Sequence, residues 1–485
     1  MLIKLSKNSF VRCTEKYGYI INQLTKHDRC YNAQGAEWLK MIKREPQDVD
    51  VILDKLVNCY PEVDRKIIEV DLCEFIESLV VDKFVIVGNT IEDLNKNDID
   101  FSYSLNNPKT LTESYHTESF VSKNTQDFFL EEFQGKPLIS NLQFELSSRC
   151  NERCIHCYIP NSKKNSGFDM PIHKVKSIIN EFSELGGISV TLSGGEVFLH
   201  KDLMEIVDYC REKDLIISIL SNLISLKDEH IPHLKNANIS LIQVSLYSMD
   251  SEKHDAITTV NGSFLKTKTA IEKLVAADIP VQISCPIMKA NRYGYNEVLS
   301  YAESLNVKAQ TDFILMARSD LDTDNLANRL SLSETEELLR DIILHDINYR
   351  TETLSQQSLS EEQEENIELF KKKPICGVGY DNCCITANGD VYPCAGWQDY
   401  VLGNVYKQTL KDIWESSERV IALRHITQES FPQCMECSAK DYCSFCLVRN
   451  YNESGGDMFK INQHFCDVAF LNKKIVEEYK KKGLL

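Results

Sequence analysis

Nowhere in this 485-residue chain do about 18 apolar residues run together, so no membrane-spanning helix is expected. The opening MLIKLSKNSFVRC has no apolar run long enough for a signal peptide. Positive charge is also short: 54 lysines and arginines face 72 aspartates and glutamates, for a net charge of -18. That balance is the wrong sign for a polyphosphate-binding surface and excludes nucleic acid as an expected partner. No internal repeat is evident. These absences point to a soluble, cytoplasmic protein without nucleic acid or membrane partners, long enough for roughly three domains that each bury a core.

Cysteine, by contrast, is plentiful. Eighteen thiols in a reducing compartment cannot be mainly disulfides, so metal or cluster ligation becomes their leading use. The segment CNERCIHCY places Cys150, Cys154 and Cys157 on one short loop, with three and then two residues between them. A closed structural zinc site wants four ligands. Three thiolates can instead hold three corners of a 4Fe-4S cube and leave the fourth iron for an outside ligand.

Residues 1–88 read as a separate small domain. Two β-like runs, FVRCT and YGYIINQL, precede three helical patterns: Trp38, Leu39 and Ile42; Val49, Ile52, Leu53, Leu56 and Val57; and Ile68, Leu72, Phe75, Ile76 and Leu79. The run KFVIVG closes the unit as a strand. Residues 89–138 are polar without sustained periodicity and read as a linker. From 139 to 325 the runs QFEL, ISVTL, LIISIL, ISLIQVSL, VQISC and AQTDFIL alternate with helical patterns. Strands alternating with helices imply an α/β fold with a parallel sheet; six such strands form a partial (β/α)6 TIM-type barrel with its chemistry at the strand C-terminal ends. Residues 326–372 read as a helical bridging region with a solvated stretch, SQQSLSEEQEEN, residues 373–471 as a cysteine-rich domain, and 472–485 as a frayed helical tail.

The CX3CX2C loop followed by Tyr158, directly after the first barrel strand, resembles the signature of the radical SAM superfamily. That resemblance implies that S-adenosylmethionine chelates the open iron of the cluster held by Cys150, Cys154 and Cys157. Ser193, Gly194, Gly195 and Glu196 follow the second strand, where glycines let backbone approach a ligand and a carboxylate can meet an ammonium. They resemble the family's GGE motif. Ser221 and Asn222 after the third strand, and Ser245 at the end of the fourth, stand where family members contact the cofactor; a hydroxyl capping a strand end is the alternative for the two serines. Leu223 departs from the glycine common in the family.

In the C-terminal hundred residues Cys376, twelve residues, Gly389, four residues and Cys394 precede Cys434, Cys437, Cys443 and Cys446 as CX2CX5CX2C, and then Cys466. This pattern resembles the SPASM extension, whose last spacing is usually one residue longer. It implies two auxiliary 4Fe-4S clusters, the outer on Cys434, Cys437, Cys443 and Cys466 and the inner on Cys376, Cys394 and Cys446. A zinc ribbon is the competing reading of CX2CX5CX2C. Cys383 and Cys384 lie on a strand-like run before the turn at Asn388 and Gly389, so their side chains should face opposite ways; one of them could complete the inner cluster or both could pack. Cys13, Cys30, Cys59, Cys73, Cys210 and Cys285 stand alone and read as packing thiols.

The N-terminal order of strands, three helices and a closing strand resembles the RiPP recognition element, a winged-helix fold that grips precursor leader peptides by adding a strand to a sheet edge. A winged-helix regulatory domain is its alternative. Together the three resemblances imply a radical SAM peptide maturase of the subtilosin type. The expected product is a cysteine thioether crosslink in a precursor peptide, with flavodoxin or ferredoxin as electron donor. Carbon-carbon crosslinking and epimerisation are alternatives within the class, and a non-catalytic iron-sulfur carrier or sensor is the alternative outside it.

Overall fold

The computed structural model describes residues 1–25, 27–99, 138–164, 167–347, 349–351, 353, 354 and 367–485. The first unit opens with β1 (Leu2–Leu5), the three-stranded antiparallel sheet β2 (Ser9–Cys13), β3 (Tyr17–Asn22) and β4 (Asp28–Asn32), and the helix α1 (Ala33–Met41). β3 stops at Asn22 because its side-chain oxygen accepts from the Leu24 and Thr25 amides at 2.8 and 3.2 Å. After β5 (Gln47–Asp48) come α2 (Val49–Cys59) and α3 (Arg65–Val81), which bury the apolar positions of the sequence pattern, from Ile52 and Leu56 to Leu72 and Leu79. Each helix starts at an acceptor side chain, Asn32, Asp48 or Asp64. β6 (Val85–Gly88) closes the unit antiparallel to β1. β1 and β4 escape the sequence pattern: β1 is short and owes its conformation to a partner at the far end of the unit, while β4 is largely polar. Residues 89–138 are not uniformly irregular, since α4 (Ile91–Asn97) forms behind a capping box of Thr90 and Asp93. The rest of that expected linker, 100–137, lies outside the described residues.

All six expected runs become parallel strands: β7 (Asn141–Ser147), β8 (Ser189–Gly194), β9 (Ile216–Ser221), β10 (Leu241–Ser245), β11 (Val281–Pro286) and β12 (Lys308–Asp312), in consecutive order across the sheet. Helices cover the outer face through residues such as Val175, Ile178 and Phe182, all fully buried. The last strand is shorter than AQTDFIL because the Asp312 carboxylate accepts from the Ile314 amide at 2.8 Å and turns the chain away.

The sheet does not end at β7. β13 (Asn382–Ile385) pairs with it in parallel, with Cys384 opposite Gln143, and β14 (Asp390–Tyr392) and β15 (Gly403–Asn404) follow antiparallel, giving nine strands. The turn between β13 and β14 needs Gly389: its φ is 85°, and a Cβ there would stand 2.4 Å from the Tyr406 ring. Beyond the sheet, the helix Leu332–His345 packs on the C-terminal helix Gln463–Lys481, with Arg340 paired to Glu478 at 3.0 Å. The expected frayed tail is therefore corrected. The helix runs through residue 471, buries Ile475, Val476 and Tyr479, and donates from the Tyr479 hydroxyl to the Arg340 carbonyl at 2.9 Å. The solvated stretch 355–366 lies outside the described residues. Among the described residues no helix is long and apolar enough to cross a membrane.

The N-terminal unit is bolted to the strand N-terminal end of the core. Phe10 is fully buried against Ile188 and Ile216, and the guanidinium groups of Arg44 and Arg211 both lie over its ring. Arg12 donates to the carbonyls of Gly187, Lys213 and Asp214 at 2.6, 3.2 and 2.7 Å, just past the C-termini of two core helices, where carbonyls lack intrahelical partners.

Candidate active site

The cysteine loop leaves the C-terminal end of β7 and is held by backbone from elsewhere. Arg153 and Ile155 amides donate to the carbonyls of Thr258 and Ile257 at 3.1 and 3.0 Å, and the side chains of Asn325 and Asn328 donate to the carbonyls of His156 and Ile155, both at 3.1 Å. Arg149 forms an ion pair with Asp169 at the root of the loop. Cys150, Cys154 and Cys157 are all half-buried. Lys164, 3% exposed, marks where they meet: burial works against its ammonium, but the thiols of Cys157, Cys150 and Cys154 raise its pKa on balance. Cys154 also lies 3.8 Å from the Tyr247 hydroxyl and 3.3 Å from Glu152 Oε2.

Gly194 and Gly195 stand where no side chain would fit. A Cβ on Gly194, whose φ is 143°, would stand 2.4 Å from the Ser147 carbonyl oxygen, and one on Gly195 would stand 2.3 Å from that of Arg149. The glycines let this turn press on the backbone entering the cysteine loop, where Gly195 and Glu196 amides donate to Ser147 and Arg149 carbonyls at 2.8 and 2.7 Å. Glu196 is 1% exposed and accepts from Ser221 Oγ at 2.7 Å, the Asn222 amide at 2.9 Å and the Phe198 amide at 3.0 Å. A carboxylate has about four acceptor positions, so one remains for a ligand ammonium. Ser221 and Asn222 thus tie the end of β9 to Glu196, and Asn222 also donates to Asn151 Oδ1 at 2.7 Å. Ser193 is engaged by Gln143 at 3.1 Å, and Ser245 ends β10 half-buried beside Tyr247. Leu223 adopts the left-handed φ of 62° that glycine would take without strain.

The C-terminal thiols divide by proximity. Cys394 is pushed up to about 12 by burial and then by Cys446 and Cys376. Cys443 is pushed up to about 11 by burial and then by Cys466, Cys434 and Cys437. Cys383 points into the main core, while Cys384 lies on the other face with Tyr158, Tyr392 and Ala395. Among the described residues no three histidine, cysteine or carboxylate side chains converge on a single ion position. A cube does not ask this of them, because each thiolate takes a different iron, and the donor sets fit such clusters.

Several residues at the site went unread in the sequence. Glu152 lies inside the loop itself, 3% exposed, and burial pushes its carboxyl up to about 7. Glu145, on β7, is buried between the cysteine loop and β13. Gln398 donates to both its oxygens at 2.9 and 3.0 Å, and Lys163 lies 3.2 Å from the Gln398 carbonyl. The signal for Glu145 was an acid inside the apolar run QFEL, which is buried on both faces.

Glu145 carries a pH prediction. Burial pushes its carboxyl up to about 7 from an ordinary 4.5, against the opposing pull of Gln398 and Lys163. The folded chain keeps a proton that the unfolded chain has lost, so this stabilisation is complete below 4.5 and disappears as pH rises through about 7. Over that window the cluster-free wild type should lose on the order of 3 kcal/mol relative to Glu145→Gln in urea titrations; equal slopes would show that Glu145 titrates normally.

Residues 144–299 match the radical SAM superfamily and residues 376–438 match SPASM, an iron-sulfur cluster-binding domain. The chain is 26% identical over 330 residues to the AdoMet-dependent heme synthase of Methanosarcina barkeri, covering 65% of this chain and 93% of that protein. It is 26% identical over 338 residues to the antilisterial bacteriocin subtilosin biosynthesis protein AlbA of Bacillus subtilis, covering 66% and 69%. Its fold is similar to that of Streptococcus suis SuiB bound to the precursor peptide SuiA, with a TM-score of 0.61 at 17% identity over 92% of this chain and 96% of that one.

Proposed function

Since the chain is a radical SAM enzyme with a SPASM domain, binding a 4Fe-4S cluster, S-adenosylmethionine and auxiliary iron-sulfur clusters, we propose that it modifies a ribosomally made precursor peptide by forming cysteine thioether crosslinks in the cytoplasm. Cys150, Cys154 and Cys157 hold the cluster that carries the cofactor, and Glu196 accepts from the cofactor's amino group. Cys434, Cys437, Cys443 and Cys466 hold the outer auxiliary cluster, and Cys376, Cys394 and Cys446 the inner one. When bound, S-adenosylmethionine would supply the radical chemistry that activates a peptide C–H bond. The residues of this chain position the peptide, keep water from the radical and maintain the geometry; flavodoxin or ferredoxin supplies the electron. Residues 1–88 bind the leader by β-strand addition.

The observation that carries this reading is the fold likeness to SuiB over 92% of the chain, a span that takes in the N-terminal unit as well as the core. A second reading, action on a tetrapyrrole, is favoured by the heme synthase match over 93% of that protein. It leaves the N-terminal unit without a task. The test compares full-length precursor with leaderless core peptide on the intact, reconstituted enzyme. Only the full-length peptide should be modified efficiently, and free leader peptide should inhibit that reaction while sparing uncoupled 5′-deoxyadenosine formation. Equal turnover of the leaderless peptide would remove the leader-binding role, and turnover of a tetrapyrrole alone would favour the second reading.

A further inference from the structure

The acid inside the cysteine loop faces inward and is only half satisfied. Glu152 Oε2 accepts from the Cys154 thiol at 3.3 Å, whereas Oε1 is buried with no partner among the described residues. Its neighbour Arg153 turns away and donates to the carbonyls of Cys150 and Glu152. The carboxylate of Glu196 lies close enough to repel that of Glu152; the Asn222 side chain, whose own bond goes to Asn151, adds a weaker hydrogen-bonding pull on Glu152, and the Asn222 backbone amide donates to Glu196. Two buried carboxylates in one pocket are costly unless a cation or a set of N–H donors comes between them. Lys164 acts on Glu152 less than any other group around it, and its own hydrogen bond goes to Cys157. S-adenosylmethionine brings an amino group whose N–H bonds need acceptors, and a carboxylate on each side would supply them.

We propose that Glu152 is a second acceptor for the amino group of S-adenosylmethionine, facing Glu196 across the pocket. The inference rests on the reading that Cys150, Cys154, Cys157 and Glu196 form the cofactor site. It makes the loop more than a cluster holder: the same nine residues supply three thiolates and one of the two anionic contacts that orient the cofactor.

The test uses the full-length enzyme with all clusters reconstituted, in wild-type, Glu152→Gln and Glu152→Ala forms. Equilibrium binding is measured with two probes, S-adenosylmethionine and 5′-methylthioadenosine, which has the nucleoside but neither amino nor carboxylate group. Both variants should keep wild-type iron content and bind S-adenosylmethionine at least about tenfold more weakly, the loss expected for a hydrogen bond to a charged group. Their affinity for 5′-methylthioadenosine should not change. Unchanged affinity for S-adenosylmethionine overturns the proposal. So does a parallel loss with both probes, or loss of iron in both variants, either of which would make Glu152 a support of the loop. If S-adenosylmethionine binding also survives replacement of Cys150, Cys154 and Cys157, the underlying site assignment falls as well, and that result is distinguishable from failure of the Glu152 contact alone.

Discussion

Replacing Cys150, Cys154 and Cys157 together with alanine should remove one cube's worth of iron and abolish 5′-deoxyadenosine formation, while the auxiliary clusters remain. The separation follows from the architecture. The three thiols belong to a loop at the end of β7, pinned by Thr258, Ile257, Asn325 and Asn328, none of which bears on the cysteines of the C-terminal domain. Alanine leaves those backbone bonds intact, so the loop should keep its course. The expected loss of cofactor cleavage is complete, because the loop then keeps no thiolate that would hold the cluster. Iron analysis, electron paramagnetic resonance of the reduced protein and chromatography of the nucleoside products read the result; undiminished 5′-deoxyadenosine would defeat the assignment.

How much of this was legible beforehand depended on whether a residue's task was local. The six core strands could be read because parallel strands buried on both faces are written as short apolar runs, such as ISVTL and LIISIL. β13 was visible as CCITA, but its pairing with β7 was not. That pairing joins residues some 240 positions apart, and only the folded core creates the edge that β13 occupies. At the site, cysteine spacing was informative because a cluster dictates where its thiolates must stand. The small polar residues were less so. Ser193, Ser221 and Asn222 were expected to face the cofactor; the structure adds their protein partners, Gln143 for Ser193 and Glu196 for the Ser221 hydroxyl and the Asn222 backbone amide. Gly194 and Gly195 were expected to admit a ligand, and the structure shows that they also admit the backbone of Ser147 and Arg149. In both cases the sequence marks a close approach without naming what approaches. Glu145 left a trace as an acid inside the apolar run QFEL, whereas Glu152 needed the structure altogether, since a carboxylate in a polar loop becomes informative only once its burial and its donors are known.

The modified peptide should be lighter by two hydrogens per crosslink, and this loss should vanish when the cysteines of its core become serine. The inference starts from a ligand count. With Cys434, Cys437, Cys443 and Cys466 grouped on one side, Cys376, Cys394 and Cys446 are left as three thiolates for the inner cluster. The fourth position belongs either to another protein thiol or to the substrate. Cys383 is turned toward the main core, away from the face that holds Cys384. Cys384 is the remaining candidate within this domain, fully buried on the face that holds Tyr158 and Tyr392, and fixed in its strand by pairing to both Gln143 and Tyr392. Cys384 also lies within electrostatic reach of Cys394; if it only packs, the position is left for a soft donor from outside, and a peptide thiolate is the matching ligand. Cys384→Ala should therefore retain full iron content and an intact inner-cluster signal. Loss of that cluster would show that Cys384 closes the site and would remove the ground for substrate ligation there. The mass measurement is independent of that outcome: if the two-hydrogen loss persists in a cysteine-free core peptide, the bond formed is not a thioether, and carbon-carbon crosslinking is the chemistry of this enzyme.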